Sequence, residues 1–113
     1  MIWNICYTAS ARQDLQDIYD YIADILFELE VAEKQTNRIM DAIDSLEHMP
    51  LRYRLYDYEP WHSKGWRVMP VDNYLVFYFP DESQDIVAII RIMYRGRNIK
   101  EHLNKGGKCE SEK

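Results

Sequence analysis

The chain has 113 residues, 47% hydrophobic and 29% charged, with only 4 Gly and 4 Pro. That length holds one domain and excludes an enzyme with a separate cofactor domain, and that composition folds around a core instead of staying disordered. The net charge of −5 hides an asymmetry, because residues 1–50 carry 3 basic against 10 acidic side chains and residues 51–113 carry 11 against 9. Residues 91–108 alone set six Lys and Arg against Glu101, so any binding of a polyanion is local.

No run of 18 apolar residues occurs, and the segment from Met1 to Tyr7 lacks the basic start and long apolar stretch of a signal peptide. The expected location is therefore the cytoplasm, with no membrane contact. Cys6 and Cys109 show neither metal-ligand spacing nor a disulfide framework, which fits a reducing compartment. His48 and His62 stand alone and no H-E-x-x-H or C-x-x-C occurs, so neither a metal nor another cofactor is expected.

In chain order, Ile2 to Tyr7 alternates and is rich in β-formers, which predicts a first strand. Ser10 with Gln13 three residues on is a capping-box pattern that predicts a helix start. Leu15, Ile18, Ile22, Ile25 or Leu26, and Leu29 recur at helical spacing, and Asp14, Asp17, Asp20 and Asp24 read as a solvated face. Helical periodicity resumes with Ala32, Ile39, Ala42, Ile43 and Leu46, and Pro50 stops it. One helix of that whole length is far beyond the globular norm, so a hairpin is expected, turning near Glu28 to Glu30.

Residues 51–65 read as a loop dense in Tyr, Arg and Trp, after which the period changes to two. Trp66 to Val71, Tyr74 to Phe79 and Ile86 to Tyr94 predict an antiparallel meander turning at Asp72-Asn73 and at the polar connection from Pro80 to Asp85. Arg95 to Leu103 can form a short turn or helix. The order β-α-α-β-β-β predicts an α+β domain over residues 1–103, a two-helix hairpin packed on one face of a small, mostly antiparallel four-stranded sheet. Residues 104–113 read as a mobile polar tail.

That order resembles the RelE/ParE superfamily of toxins from type II toxin-antitoxin modules, the plasmid stabilisation or addiction systems. The residues that carry the resemblance are DLQDIYDYIAD in the first helix, WRVMPVDNYLVFYF across two strands, and IVAIIRIMYRGRN in the last strand and its exit. The pairing of NYLVFY with RIMYRGRN is the most specific part, with Arg91, Tyr94, Arg97 and Asn98 filling the family's terminal signature. The resemblance implies a growth-arresting toxin held in check by a cognate antitoxin, and it leaves two chemistries open.

A RelE-like ribonuclease cuts ribosome-bound mRNA without metal. It needs cations on the phosphate, a base, an acid and a stacking surface. The matching candidates are Arg67, Arg97, Tyr94 and His102. The usual arginine is replaced by Tyr74 and the lysine partner by Met69, and Leu103 stands near the place of a C-terminal tyrosine. A ParE-like toxin instead binds DNA gyrase and is not an enzyme, so those departures do not count against it. The run with Arg67, Pro70, Val71 and Tyr74 favours that reading by a narrow margin, with Arg67, Tyr74, Arg91, Arg95, Arg97 and Asn98 as target-binding candidates. A non-toxic interaction module of the same fold is the third alternative.

The resemblance also implies an antitoxin that wraps the toxin. The helical hairpin and the aromatics Tyr53, Tyr56, Tyr58, Trp61 and Trp66 are the surfaces assigned to it. Plainer roles stand beside these. Arg91 lies mid-strand, where an ion pair with a helix aspartate would serve the fold, and the loop aromatics would equally cover the sheet.

Overall fold

A computed structural model describes residues 2–96 together with Ile99 and Leu103. Strand β1 (Asn4–Tyr7) leads into helix α1 (Ala9–Asp20), a π-helical turn (Tyr21–Ile25) and helix α2 (Leu29–Asp44). Two single 3₁₀ turns, Ser45–Glu47 and Pro50–Arg52, precede strands β2 (Arg67–Val71), β3 (Tyr74–Asp81) and β4 (Ile86–Tyr94). The sheet order is β1-β4-β3-β2, with β1 parallel to β4 and the other pairs antiparallel. This is the expected α+β arrangement.

The sheet is covered on both faces. Ala11, Ile39, Ile43 and Leu46 from the helical layer pack on Met69, Val76, Val87, Ile89 and Ile92. Across the sheet, Tyr56 and Trp61 of the long connection close over Val68, Phe77, Ala88 and Met93, with Leu103 joining them. The period-two patterns of β3 and β4 thus read as nearly continuous apolar runs because both faces are buried.

Several boundaries differ from the sequence reading for physical reasons. The helix begins at Thr8, not Ser10: the Thr8 Oγ1 accepts the Ala11 N–H at 3.1 Å and lies 2.9 Å from the carbonyls of Ile89 and Ile90. A buried hydroxyl at the exit of β1 can cap the helix and bond to β4 together, which Ser10, two residues on and inside the helix, cannot. Gln13 donates to Asp17 at 2.8 Å, a bond within the helix and no part of a capping box.

The hairpin turns just before the expected place. Phe27 adopts a left-handed φ of 56°, the conformation that usually falls to Gly or Asn after a helix, and the Glu28 N–H reaches back to the Ile22 carbonyl at 3.0 Å. A left-handed phenylalanine carries no sequence mark. Helix α2 ends at Asp44, well ahead of Pro50, because the chain tightens into a 3₁₀ turn first.

Cys6 is buried and takes part in a disulfide bond, against the expectation of no disulfide, since pairing depends on geometry that spacing does not carry. Cys109 and the tail 104–113 lie outside the described residues. Among the described residues no helix is long and apolar enough to cross a membrane.

Candidate functional site

The first site feature is the open flank of β4. Strand β1 pairs only with Ile86 to Ile89, which leaves the upper half of β4 without a strand on the side away from β3. Helix α1 fills that place with side chains. Asp14 accepts the Ile92 N–H at 2.9 Å, and its two oxygens take Arg91 Nε at 2.6 Å and a terminal nitrogen at 2.8 Å. Both partners are buried, at 7% and 8% exposure. The paired carboxylate raises the guanidinium pKa against the lowering effect of burial.

Arg91 therefore joins helix to sheet, and Asp14 leaves the group of solvated acids in which the sequence placed it. Helical spacing counts faces but does not show that one aspartate lies over a strand edge.

Above this pair runs a groove of about 790 Å³ between the hairpin and the end of the sheet. Ile18, Ile22 and Ile92 line it together with Tyr21, Leu26, Val31, Tyr74 and Tyr94, and Asp14, Asp17 and Glu28 supply its charge. Tyr74 and Tyr94 meet edge to face at 5.8 Å. Burial raises the Tyr74 pKa first, and the neighbouring Tyr94 and Tyr21 raise it further. Gly96 belongs to this geometry, because a Cβ there would stand 2.8 Å from the Tyr94 ring.

The hairpin tip beside the groove is apolar and exposed. Ile25, Leu26, Leu29 and Val31 all face solvent, and Phe27 is 83% exposed. The sequence reading placed Ile25 or Leu26 and Leu29 on a core-facing stripe. The consecutive Ile25, Leu26 and Phe27 held the missed sign, since three successive apolar residues in a helix cannot all face one core.

The other candidates are dispersed. Arg67 donates through Nη1 to the Tyr53 carbonyl at 2.6 Å and to that of Leu51 at 3.3 Å, while its buried Nε has no acceptor. It pairs across β2 and β3 with Tyr78, whereas Tyr94 pairs with Tyr74. Four positions along β3 separate those rows, about 13 Å at roughly 3.3 Å per residue. The structure does not bring Arg67 and Tyr94 together. Arg95 is exposed at the turn after β4. Arg97, Asn98 and His102 lie outside the described residues.

Of the loop aromatics, Tyr56 and Trp61 are core residues at 7% and 4% exposure, and Tyr53 and Trp66 are half-buried. Only Tyr58 offers a largely open ring, so the expectation of an exposed aromatic surface over residues 53–66 does not hold. The apolar undersurface of the loop is what the sheet needs. Among the described residues no three His, Cys, Asp or Glu side chains gather in a way that could hold a metal.

The family model described as ParE toxin of type II toxin-antitoxin system, parDE, matches residues 5–99. Among solved structures, the chain is similar to one from a chromosomal ParDE toxin-antitoxin system of P. aeruginosa, at 21% identity and a TM-score of 0.67, over 82% of this chain and 96% of that one. It is also similar to a chain of the RelBE2 toxin-antitoxin complex of Mycobacterium tuberculosis, at 21% identity and a TM-score of 0.58, over 84% and 100%. At these identities the likeness is one of fold. No curated protein matches the sequence.

Proposed function

The chain belongs to the ParE toxin family of type II toxin-antitoxin systems, and from that premise we propose that this toxin arrests growth by binding DNA gyrase, and that a cognate antitoxin neutralises it. The observation that carries the reading is the family match itself, which runs through nearly the whole fold. The placement of the described candidates supports it. A metal-free ribonuclease needs cation, acid, base and stacking ring within reach of one phosphate, yet the guanidinium of Arg67 holds loop carbonyls and that of Arg91 holds Asp14. A binding surface has no such requirement.

The test is to add the purified, antitoxin-free protein to gyrase with relaxed plasmid and ATP. The expected outcome is loss of supercoiling with accumulation of cleaved DNA. Undisturbed gyrase, together with new mRNA ends at codon positions in a reconstituted translation reaction, would replace this reading with the ribonuclease.

A further inference from the structure

We propose that the outer edge of β1 is an interface for a second copy of this chain, with the two β1 strands pairing antiparallel about a twofold axis at Ile5 so that two four-stranded sheets run on as one. The inference does not depend on which target the toxin has. It rests on the one sheet edge that the fold leaves unsealed among the described residues.

The open groups follow from the ladder. Asn4 gives its N–H to the Asp85 carbonyl and Thr8 gives its N–H to that of Ile89, so the strand alternation turns the N–H and C=O groups of Trp3, Ile5 and Tyr7 away from β4. The Glu47 carbonyl takes the Trp3 N–H at 3.0 Å. No hydrogen bond among the described residues takes the N–H of Ile5 or Tyr7. The opposite edge of the sheet shows the contrast: in β2 the Val68 N–H goes to the Arg54 carbonyl at 3.1 Å, the Trp66 carbonyl just before it accepts from Tyr56 at 2.9 Å, and Pro70 has no N–H to offer. The upper flank of β4 is closed by the Thr8 hydroxyl and the Asp14 carboxylate. Folds blunt the edges that must stay single with prolines, charges or covering loops, yet the run from Ile2 to Tyr7 holds no proline, glycine or charge.

The edge complements itself. With the axis at Ile5, each Ile5 N–H meets the Ile5 carbonyl of the other copy, and each Tyr7 N–H meets the other's Trp3 carbonyl. The donor already spent, the Trp3 N–H, leaves only the Tyr7 carbonyl over. On the helical face Trp3, Ile5 and Tyr7 are half-buried against the core, and the pairing covers them further by setting Ile5 on Ile5 and Trp3 beside Tyr7. The charges fit the same register. Arg12 lines a pocket together with Tyr7, whereas Glu47 stands at Trp3, so the twofold brings Arg12 of each copy to the Glu47 of the other. Asp44, whose charge reaches the Tyr7 hydroxyl, is the like charge in that row. So short a strand with one such opposition makes a weak dimer, with a Kd of about 1 to 100 μM.

The experiment uses the full chain, purified without antitoxin. Sedimentation over a wide concentration range gives its mass, and amide hydrogen exchange read by NMR gives the edge. The mass is expected to rise from that of one chain to that of two, with slow exchange at Ile5 and Tyr7 in the dimer. Arg12→Glu should weaken the dimer about tenfold and speed exchange at both amides, and Arg12→Glu/Glu47→Arg should restore the two readouts. A melting temperature at the wild-type value certifies the fold of each variant, and if either fails to fold, the wild-type mass and exchange decide alone. A single-chain mass at every concentration overturns the proposal. So does a dimer whose Ile5 and Tyr7 amides exchange freely, or a folded double variant no better than Arg12→Glu. Slow exchange at these amides that appears only when the antitoxin is added would give the edge to that partner, and it too overturns the proposal.

Discussion

Asp14 shows how much one carboxylate can hold. It closes a strand flank, fixes the only buried arginine among the described residues and ties α1 to β4. Replacing it with Ala takes the carboxylate from the buried guanidinium and leaves the buried Ile92 N–H without its acceptor, so Asp14→Ala should destabilise the fold by about 3 to 5 kcal/mol. The double variant Asp14→Leu/Arg91→Met should recover much of that loss, because removing both charges removes the desolvation problem. Urea denaturation of both variants checks the pair.

Tyr78 carries a different kind of liability. Its hydroxyl donates to the Pro50 carbonyl at 2.6 Å, and burial, partly offset by Arg67 and Arg52, pushes its pKa up to about 12. The unfolded phenol loses its proton near its ordinary value of 10.0. Between these values the folded chain holds more protons, so this part of the stability is whole below pH 10 and is lost as pH rises to about 12. Tyr7, raised to about 12 by burial and by Asp44, adds to the same slope. The urea midpoint should therefore fall through this window, and less steeply in Tyr78→Phe.

Among the elements, the hairpin shows a conflict between stability and use. A non-glycine residue in the left-handed region costs roughly 1 to 2 kcal/mol, and Phe27 at 83% exposure recovers little of that by packing. Phe27→Gly should stabilise the isolated toxin by about 1 kcal/mol or less, after the extra freedom of glycine in the unfolded chain is subtracted. The expected rise in melting temperature is small. A fall would mean that the Phe27 ring packs on the hairpin more than its exposure indicates.

Sequence patterning captured the elements built from long runs of one kind, and it failed where burial is decided by distant parts. The meander was legible because Tyr74 to Phe79 and Ile86 to Tyr94 are long β-forming runs, and both appear as strands. The hairpin was legible from length alone. Its solvent-facing tip was not, because Ile25, Leu26 and Leu29 look like core until the sheet is seen to end short of them. Thr8 and Asp14 escaped notice for a related reason: their partners lie 81 or 82 and 77 or 78 residues away, in β4.

On the scale of the whole molecule, the charge division of the sequence has become a division of surfaces. The acidic half forms the hairpin and its groove, whereas the exposed Arg95 opens the basic stretch beyond β4. Under the proposed function, gyrase binding would fall on the basic stretch and antitoxin binding on another surface. The two should respond differently to variants: Arg95→Glu is expected to weaken gyrase inhibition while leaving antitoxin affinity within about threefold, as rim charges away from an interface usually do. Parallel supercoiling and titration assays on one preparation would separate them.

The parallel pairing of β1 with β4 joins segments 82 residues apart in sequence, Asn4 to Ile86 and Tyr7 to Ile89. Ribosomal synthesis runs from one end, so β1 and α1 emerge long before the strand that completes them. Until residues 86–94 clear the exit tunnel, Thr8 lacks its carbonyls and Asp14 has neither Arg91 nor the Ile92 N–H. Assembly at the core of the sheet is thus postponed until β4 has been made, as expected for contacts of such long sequence separation. A toxin fold built this way stays incomplete until β4 has been made, so an antitoxin already present would meet it as it forms.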